Sequence, residues 1–134
     1  MDRKKLENYR WTKIKIQDRL KELEEKKENV NRLVASYGGE KVSSSRLNED
    51  GTAERLVEIL DNTKEIENIL KLWNLELIEI EKSIDKIENQ VYQVILYKRY
   101  VLNIPLEDIA YDIGYDYKYV CRLHGLALNE FDKI

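Results

Sequence analysis

An apolar stripe along residues 52–94 limits the fold more than any other part of the sequence. Its members recur at three- and four-residue steps over about five heptads: Leu56, Ile59, Thr63, Ile66, Leu70, Trp73, Leu77, Ile80, Ile84, Ile87, Val91 and Val94. That spacing is helical, because a strand would alternate every second residue. A helix with one apolar face must bury it against a partner. The stripe therefore predicts a long paired helix, with Thr63 as its only polar interruption.

The first part of the chain offers the partner. A second stripe with coiled-coil spacing predicts a helix over about residues 3–37, and its members are Leu6, Tyr9, Ile16, Leu20, Leu23, Val30, Val34 and Tyr37. The charges are opposite: residues 1–38 carry 11 Lys/Arg and 7 Asp/Glu, whereas residues 39–96 carry 7 and 13. We therefore expect an antiparallel hairpin of helices 3–37 and 52–88 joined by loop 38–51. Pairing with a second copy of the chain competes with this arrangement and is compatible with it.

Residues 89–134 predict a second domain, separate from the hairpin 1–88, that is made of three short helices. Asn89 is a suitable cap for a helix over "QVYQVILYKRYVLN", and Pro105 interrupts the helical pattern at "NIP". "LEDIAYDI" is the next helix, Gly114 permits a sharp turn, and Asp116 is a suitable cap for a last helix from Tyr117 to about Asp132. Two helices joined by a tight turn form a helix-turn-helix.

The last helix has two chemically different sides. Apolar residues at helical spacing predict a buried side, and they are Val120, Leu123, Ala127, Leu128 and Phe131. The residues expected to face outward near its start are Tyr117, Lys118, Cys121, Arg122 and His124. No carboxylate occurs between Tyr117 and Asn129, although the chain as a whole has a net charge of -3. A surface that keeps acid away and presents Lys and Arg is suited to phosphates and base edges.

The stretch "LYKRYVLNIPLEDIAYDIGYDYKYVCRLHGLALNEF" resembles the region-4 helix-turn-helix of bacterial sigma factors. The matching positions are Arg99, Tyr100, Asp108, Ile109, Ala110, Ile113, Gly114, Asp116, Val120, Leu123, Ala127, Leu128 and Phe131. Together with the helical arm, "RLHGLAL" is similar to small transcriptional regulators of the ArpU/RinA type, which occur in prophages and mobile elements of Gram-positive bacteria. The likeness covers about the last 40 residues closely and the arm more generally.

This resemblance implies sequence-specific binding of double-stranded DNA, with the last helix in the major groove. Lys118 and Arg122 lie one turn apart, and Arg122 is placed to read a guanine with two hydrogen bonds. Tyr117 is expected near phosphate, with Cys121 and His124 beside it on the same helix. Tyr115, Lys98 and Arg99 are expected to contact the flanking backbone. Because the chain has Tyr117, Lys118 and Tyr119 where sigma factors have other residues, no base preference is implied.

The remaining features favour a binding protein over an enzyme. "YGGEK" lacks the length and the Lys-Ser/Thr ending of a phosphate-binding loop. Cys121 and His124 are the only residues of their kinds, which argues against a metal site, a catalytic thiol or a disulfide. No cofactor, signal peptide or membrane span is expected, so a cytoplasmic protein is the default. Trp11 and Trp73 are expected to pack within the arm.

Three roles stay open for the chain as a whole. The first is regulation of phage or mobile-element genes, with the arm forming a homodimer or higher oligomer, or contacting RNA polymerase. The second is the small subunit of a phage terminase, which also joins a helix-turn-helix to helical arms and assembles into rings. The third is a helical protein–protein interaction module that does not bind DNA, which the near-neutral charge of residues 97–134 (5 Lys/Arg, 6 Asp/Glu) keeps open.

Overall fold

The computed structural model describes residues 1–38 and 51–134, and every regular element in those ranges is helical. In chain order the elements are α1 (Lys4–Gly38), α2 (Thr52–Asp85), α3 (Gln90–Leu96), a π-helix (Tyr97–Val101), α4 (Leu106–Ile113) and α5 (Tyr117–Asp132). The predicted all-α class, with two long helices before three short ones, is confirmed. The predicted loop 38–51 lies outside the described residues except for its two ends.

The described residues group into two compact units. One consists of Met1–Ile14 with Asn74–Ile134, and the other lies within Lys15–Trp73. The first unit therefore contains the start of α1, the end of α2 and all the shorter helices. The sequence predicts that residues 1–88 and residues 89–134 are two domains, each of which would fold by itself. That division is a different statement from the grouping into compact units, and it stays a prediction.

The long helices pair in opposite directions within the unit Lys15–Trp73. The Lys15 ammonium lies 4.7 Å from the ring centroid of Trp73, and the Lys27 ammonium lies 3.6 Å from the Glu67 carboxylate. Residue numbers rise along α1 while those of the partners fall along α2. The helices are therefore antiparallel, as the hairpin prediction requires.

The buried side of each long helix follows its predicted stripe, with exceptions. Thr63 is buried, and its hydroxyl donates to the Ile59 carbonyl at 2.8 Å, which satisfies the polar group. Leu20 and Val34 belong to the predicted stripe of α1 but are 44% and 54% exposed. Trp11 is 60% exposed, so the prediction that it packs within the arm was wrong. A two-helix seam covers only part of each helix, and residues at its margin keep contact with solvent.

Helix α2 ends at Asp85, three residues before the predicted position. The next backbone bonds, from Lys86 N to Ser83 O and from Ile87 N to Ile84 O, span three residues and tighten the chain. The Gln93 side-chain amide then donates to the Asp85 and Ile87 carbonyls. A polar side chain from the next helix thus satisfies carbonyls that a helix end leaves free.

The short helices enclose a small apolar core in which α3 and α4 both pack against α5. Its buried members are Ile95, Ile109, Ala110, Val120 and Leu123. Asn89 caps α3 as predicted, because its side-chain oxygen accepts from Val91 N at 2.9 Å and from Tyr92 N at 3.4 Å. The break at Pro105 is also confirmed, since α4 begins at the following residue. These contacts hold α5 so that one of its sides stays free.

Candidate nucleic-acid interface

Helix α5 buries one side and exposes the other. Val120, Ala127 and Phe131 are fully buried, and Leu123 is 8% exposed. Lys118 and Arg122 are exposed, as are Gly125 and Asn129, and these four positions fall within about 60° of one another around a regular helix. We call them the outward face of α5. The predicted buried side is thus found for Val120, Leu123, Ala127 and Phe131, whereas Leu128 is only half-buried, and the predicted exposure is found for Lys118 and Arg122.

The turn before α5 has the geometry that its glycine allows. Gly114 has φ 74°, a left-handed conformation that glycine adopts without a side-chain clash. Its N–H and that of Tyr115 donate back to carbonyls of α4 and close the helix end. Asp116 occupies the cap position of α5 with extended backbone, but its side chain accepts no hydrogen bond from the first turn, all of which the structure describes. Asp116 is therefore the N-cap residue, as predicted, but without the side-chain hydrogen bond that its carboxylate could provide.

Tyr117 and Cys121 lie one turn apart on one flank of the outward face. Tyr117 is 45% exposed, and Cys121 is half-buried. A hydrogen bond with the Cys121 thiol raises the pKa of the Tyr117 phenol above its ordinary value. A tyrosine phenol is protonated at neutral pH with or without this shift, and in that form its hydroxyl can donate to a phosphate oxygen.

Tyr115 and Tyr119 lie on the opposite flank. Their ring centroids are 5.6 Å apart with an interplanar angle of 59°, a tilted aromatic pair. Both rings keep more than two fifths of their surface exposed. Tyr115 thus projects beside the turn, as expected for a residue flanking the last helix, and Tyr119 supports it there.

His124 points away from the outward face. Its ring stacks on Tyr100 at a centroid distance of 5.7 Å, and its Nε2 lies 2.8 Å from the Tyr100 hydroxyl. Burial lowers the pKa of His124, and the charges of Arg99 and Arg3 lower it further. The neutral imidazole links α5 to the π-helix. The structure therefore places His124 in a contact between helices rather than beside Lys118 and Arg122.

The π-helix changes the directions in which "YKRY" points. The sequence predicts one helix here, but Leu102 N bonds to Tyr97 O at 3.1 Å, five residues back, which is the π pattern. Arg99 is half-buried, and its Nη1 lies 3.4 Å from the Ile104 carbonyl. Lys98 lies instead 3.7 Å from the Asp112 carboxylate of α4. The two basic residues, predicted to act together on one DNA backbone, line different grooves.

The start of the chain contacts the C-terminal part of α5. Arg3 Nη2 donates to Asn129 Oδ1 at 2.9 Å, and Arg3 Nε donates to Asp132 Oδ2 at 2.7 Å. This guanidinium holds the pKa of the Asp132 carboxyl below its usual range. Arg3 thereby neutralises an acidic group that would otherwise stand next to the outward face.

The structure brings together only part of the predicted set. Lys118 and Arg122 form the outward face, whereas Tyr117 with Cys121 and Tyr115 lie on its two flanks. His124 and Arg99 belong to a neighbouring contact around Tyr100, and Lys98 is separate. Gly125 and Asn129 are not among the predicted site residues, although steps of three and four residues from Arg122 lead to them. Arg3 is not among them either, because no sequence signal connects it with Asn129, 126 residues away.

Within residues 1–38 and 51–134, no group of three or more His, Cys, Asp or Glu side chains is arranged to hold a metal ion. None of the helices in that part of the chain is both long and apolar enough to cross a membrane.

Comparisons of the chain with protein-family models, with curated proteins and with solved structures find no match.

Proposed function

We propose that this chain binds double-stranded DNA through α5 and regulates transcription of phage or mobile-element genes in the cytoplasm. The observation that carries the proposal is the contrast between the two sides of α5. One side is buried in the core of the short helices, and the other presents Lys118 and Arg122 with no carboxylate from Tyr117 to Asn129. The proposed role is binding rather than catalysis.

The chemistry of the outward face fits a major groove. A groove about 12 Å wide admits a helix, and an Arg side chain can donate two hydrogen bonds to guanine O6 and N7. Lys118 and Arg122 are one turn apart, so both reach the same few base pairs. Gly125, on the same face, adds no side chain that would hold the helix away from the bases. Tyr117 on the flank provides a hydroxyl donor for phosphate.

The test begins by selecting bound fragments from random duplex DNA with the wild-type protein. The affinity of the selected site is then measured against salt concentration, because phosphate contacts release counterions and weaken binding as salt rises. The substitution Arg122→Glu removes the base contact and repels the backbone. We expect it to cost at least about 1–3 kcal/mol, or roughly 5- to 150-fold in dissociation constant.

Arg55→Glu provides the matched control, because Arg55 is also exposed and the charge change is identical, but the residue lies on α2. We expect Arg55→Glu to bind like the wild type, and both variants to melt at the wild-type temperature. Equal affinities of Arg122→Glu and the wild type for the selected site would contradict the proposal. They would favour the interaction module, for which exposed rings such as Tyr111, 89% exposed, are the supporting observation.

We further propose that the paired long helices mediate self-association. Apolar side chains remain exposed in the unit Lys15–Trp73: Leu20, Val34, Val57, Leu60 and Leu72. Contact with RNA polymerase is the other role proposed for this surface. The mass of the assembly in solution separates the candidate functions, since a dimer fits a transcriptional regulator, whereas a ring of many subunits fits DNA packaging by a terminase small subunit.

A further inference from the structure

A groove separates the first turns of α1 from the π-helix and the residues that follow it. Its lining includes Leu6, Arg10, Trp11, Arg99, Tyr100 and Asn103. One segment lies within residues 6–11 and the other within residues 99–103, and both belong to the unit that contains the short helices. We call this the α1 groove.

The α1 groove is positively charged. Arg10 and Arg99 contribute two guanidinium groups, and Glu7 is the single carboxylate among the lining residues, all of which the structure describes. Arg99 also acts on the next layer of side chains, where its charge helps to lower the pKa of His124. An anion entering the groove therefore meets a net attraction.

Contacts within the chain restrain the two guanidinium groups of the groove. The Arg10 guanidinium carbon lies 5.5 Å from the ring centroid of Trp11, a cation–π contact. Arg99 is held at the Ile104 carbonyl. Asn103 has φ 56°, a left-handed conformation in which its exposed amide stands at the edge of the groove. Guanidinium forks and an amide N–H are donors that match phosphate oxygens.

The inner wall of the groove touches α5. Tyr100 lines the groove on one side and stacks on His124 of α5 on the other, with 5.7 Å between ring centroids. One layer of side chains therefore separates the groove from α5, near the flank that carries Tyr117 rather than at Lys118 and Arg122. In a duplex seated on α5, a sugar–phosphate backbone borders each side of the major groove, next to the flanks of that helix.

We propose that the α1 groove binds a backbone phosphate of the same duplex, with Arg10 and Arg99 as the charged donors and Asn103 as the neutral one. This inference rests on the DNA binding proposed above and extends the contact surface to the N-terminal helix. The contact carries no base information, since phosphates are the same at every position. Its expected contribution is affinity and orientation.

The experiment measures the affinity of full-length variants for the selected duplex, and for the same duplex with a scrambled site, over a range of salt concentrations. Arg10→Gln removes one phosphate partner. We expect the plot of log affinity against log salt to become less steep by about 0.9, which is the contribution of one contact to B-DNA. We expect the ratio of affinities for selected and scrambled sites to stay at the wild-type value.

Lys5→Gln is the matched control, because it removes the same charge from the same helix. Lys5 is exposed and points about 140° away from Arg10 around the helix axis, so the wild-type slope should be retained. Asn103→Gly is a second variant that keeps the left-handed backbone while removing the amide. We expect it to weaken binding to both duplexes by the same factor. The slope of log affinity against log salt should stay unchanged, since no charge is lost. Melting curves establish that each variant is folded.

The outcomes separate this inference from the proposed function. A reduced slope in Arg10→Gln, with Lys5→Gln unchanged, supports the groove contact. If Arg10→Gln and Asn103→Gly both bind like the wild type while Arg122→Glu loses binding, the groove contact is refuted and DNA recognition by α5 stands. If the wild-type protein selects no duplex, both proposals fail.

Discussion

The short C-terminal helices enclose side chains that have no contact with solvent, whereas none of the described residues in the unit Lys15–Trp73 is enclosed so completely; both regions also expose some apolar side chains. Ile95, Ile109 and Val120 have no solvent exposure. In the unit Lys15–Trp73, by contrast, Val57 is 57% exposed and Leu72 is 66% exposed. The difference is geometric: helices that cross can surround a residue on every side, whereas a pair covers one stripe of each.

This contrast indicates which kind of binding surface each region offers. A closed core needs nothing further on its outside, so the outward face of α5 is free to carry polar chemistry. An incompletely covered pair keeps apolar area that another subunit can bury. The outward face of α5 is thus suited to a charged ligand, whereas the exposed apolar side chains, which include Leu102 and Tyr111 as well as Val57 and Leu72, are suited to a protein surface.

The largest expected effect is a change within the closed core. Ile109→Ala removes a fully buried side chain and leaves a cavity. We expect the free energy of unfolding to fall by about 2–5 kcal/mol. Leu72→Ala, at a position 66% exposed, should change it by less than about 0.5 kcal/mol at low protein concentration. Denaturant unfolding of both variants measures the difference.

The same two variants also test whether the two regions differ in burial. If Leu72→Ala destabilises as much as Ile109→Ala at every protein concentration, Leu72 is not a solvent-exposed residue and the long helices are closed too. If the loss of stability caused by Leu72→Ala grows with protein concentration, Leu72 is buried between subunits, since association stabilises the folded chain by mass action.

A smaller effect is expected at two glycines with the same backbone conformation, one in each region. Gly114 has φ 74° and Gly51, just before α2, has φ 67°, and a Cβ at either position would meet no atom within 4 Å. Substitution by Ala therefore costs backbone strain alone. We expect Gly114→Ala to lose about 1–2 kcal/mol of stability, because α4 and α5 are packed on both sides of it.

Gly51→Ala should lose less, under about 1 kcal/mol, because the first turn of α2 can fray and release the strain. Thermal melting of the two variants provides the comparison. Equal losses would mean that the chain before α2 is held as firmly as the turn between α4 and α5, and the contrast between the regions would weaken.

The smallest effect is expected from the titration of His124. Its pKa is lowered in the folded chain by burial and by the charges of Arg99 and Arg3, while Tyr100 is its hydrogen-bonding partner. As the pH falls, His124 therefore takes up a proton at a higher pH in the unfolded chain than in the folded chain. The contribution of His124 to the free energy of unfolding is fully present above its pKa in the unfolded chain, about 6.5. This contribution is lost as the pH falls through the lower pKa that His124 has in the folded chain.

Melting temperatures between about pH 7.5 and 5.5 test this expectation, since no other histidine is present in the sequence. His124→Gln keeps a polar side chain without a titrating proton, and its melting temperature should vary less over that range. An identical pH dependence in His124→Gln and the wild type would assign the effect to other groups.

Much of this architecture could be predicted because it depends on local spacing. The bounds of α5 and the turn at Gly114 follow from residues within a few positions of one another. Contacts between distant residues could not be predicted in this way. His124 meets Tyr100 across 24 positions, and nothing in the sequence distinguishes an imidazole stacked on a tyrosine from one facing solvent.

Other departures come from competition among backbone groups. Asp116 has the side chain of a cap, but the first turn of α5 forms without its help. Helix α2 ends three residues before its predicted end, and the Gln93 amide donates to its last carbonyl, that of Asp85, and to the Ile87 carbonyl beyond it. The π-helix could not be predicted either, because a change in the backbone hydrogen bonds from four to five residues does not alter the spacing of apolar residues enough to be read from the sequence.

That π-helix amounts to one residue inserted into a helical turn, and the insertion has a mechanical consequence. Deleting a residue between Tyr97 and Val101 would restore ordinary α geometry and turn the preceding residues by about 100° relative to those that follow. Tyr100 could then no longer face α5 while Lys98 faced α4. The register of this single extra residue, more than any one contact, determines which side chains border the helix proposed to read DNA.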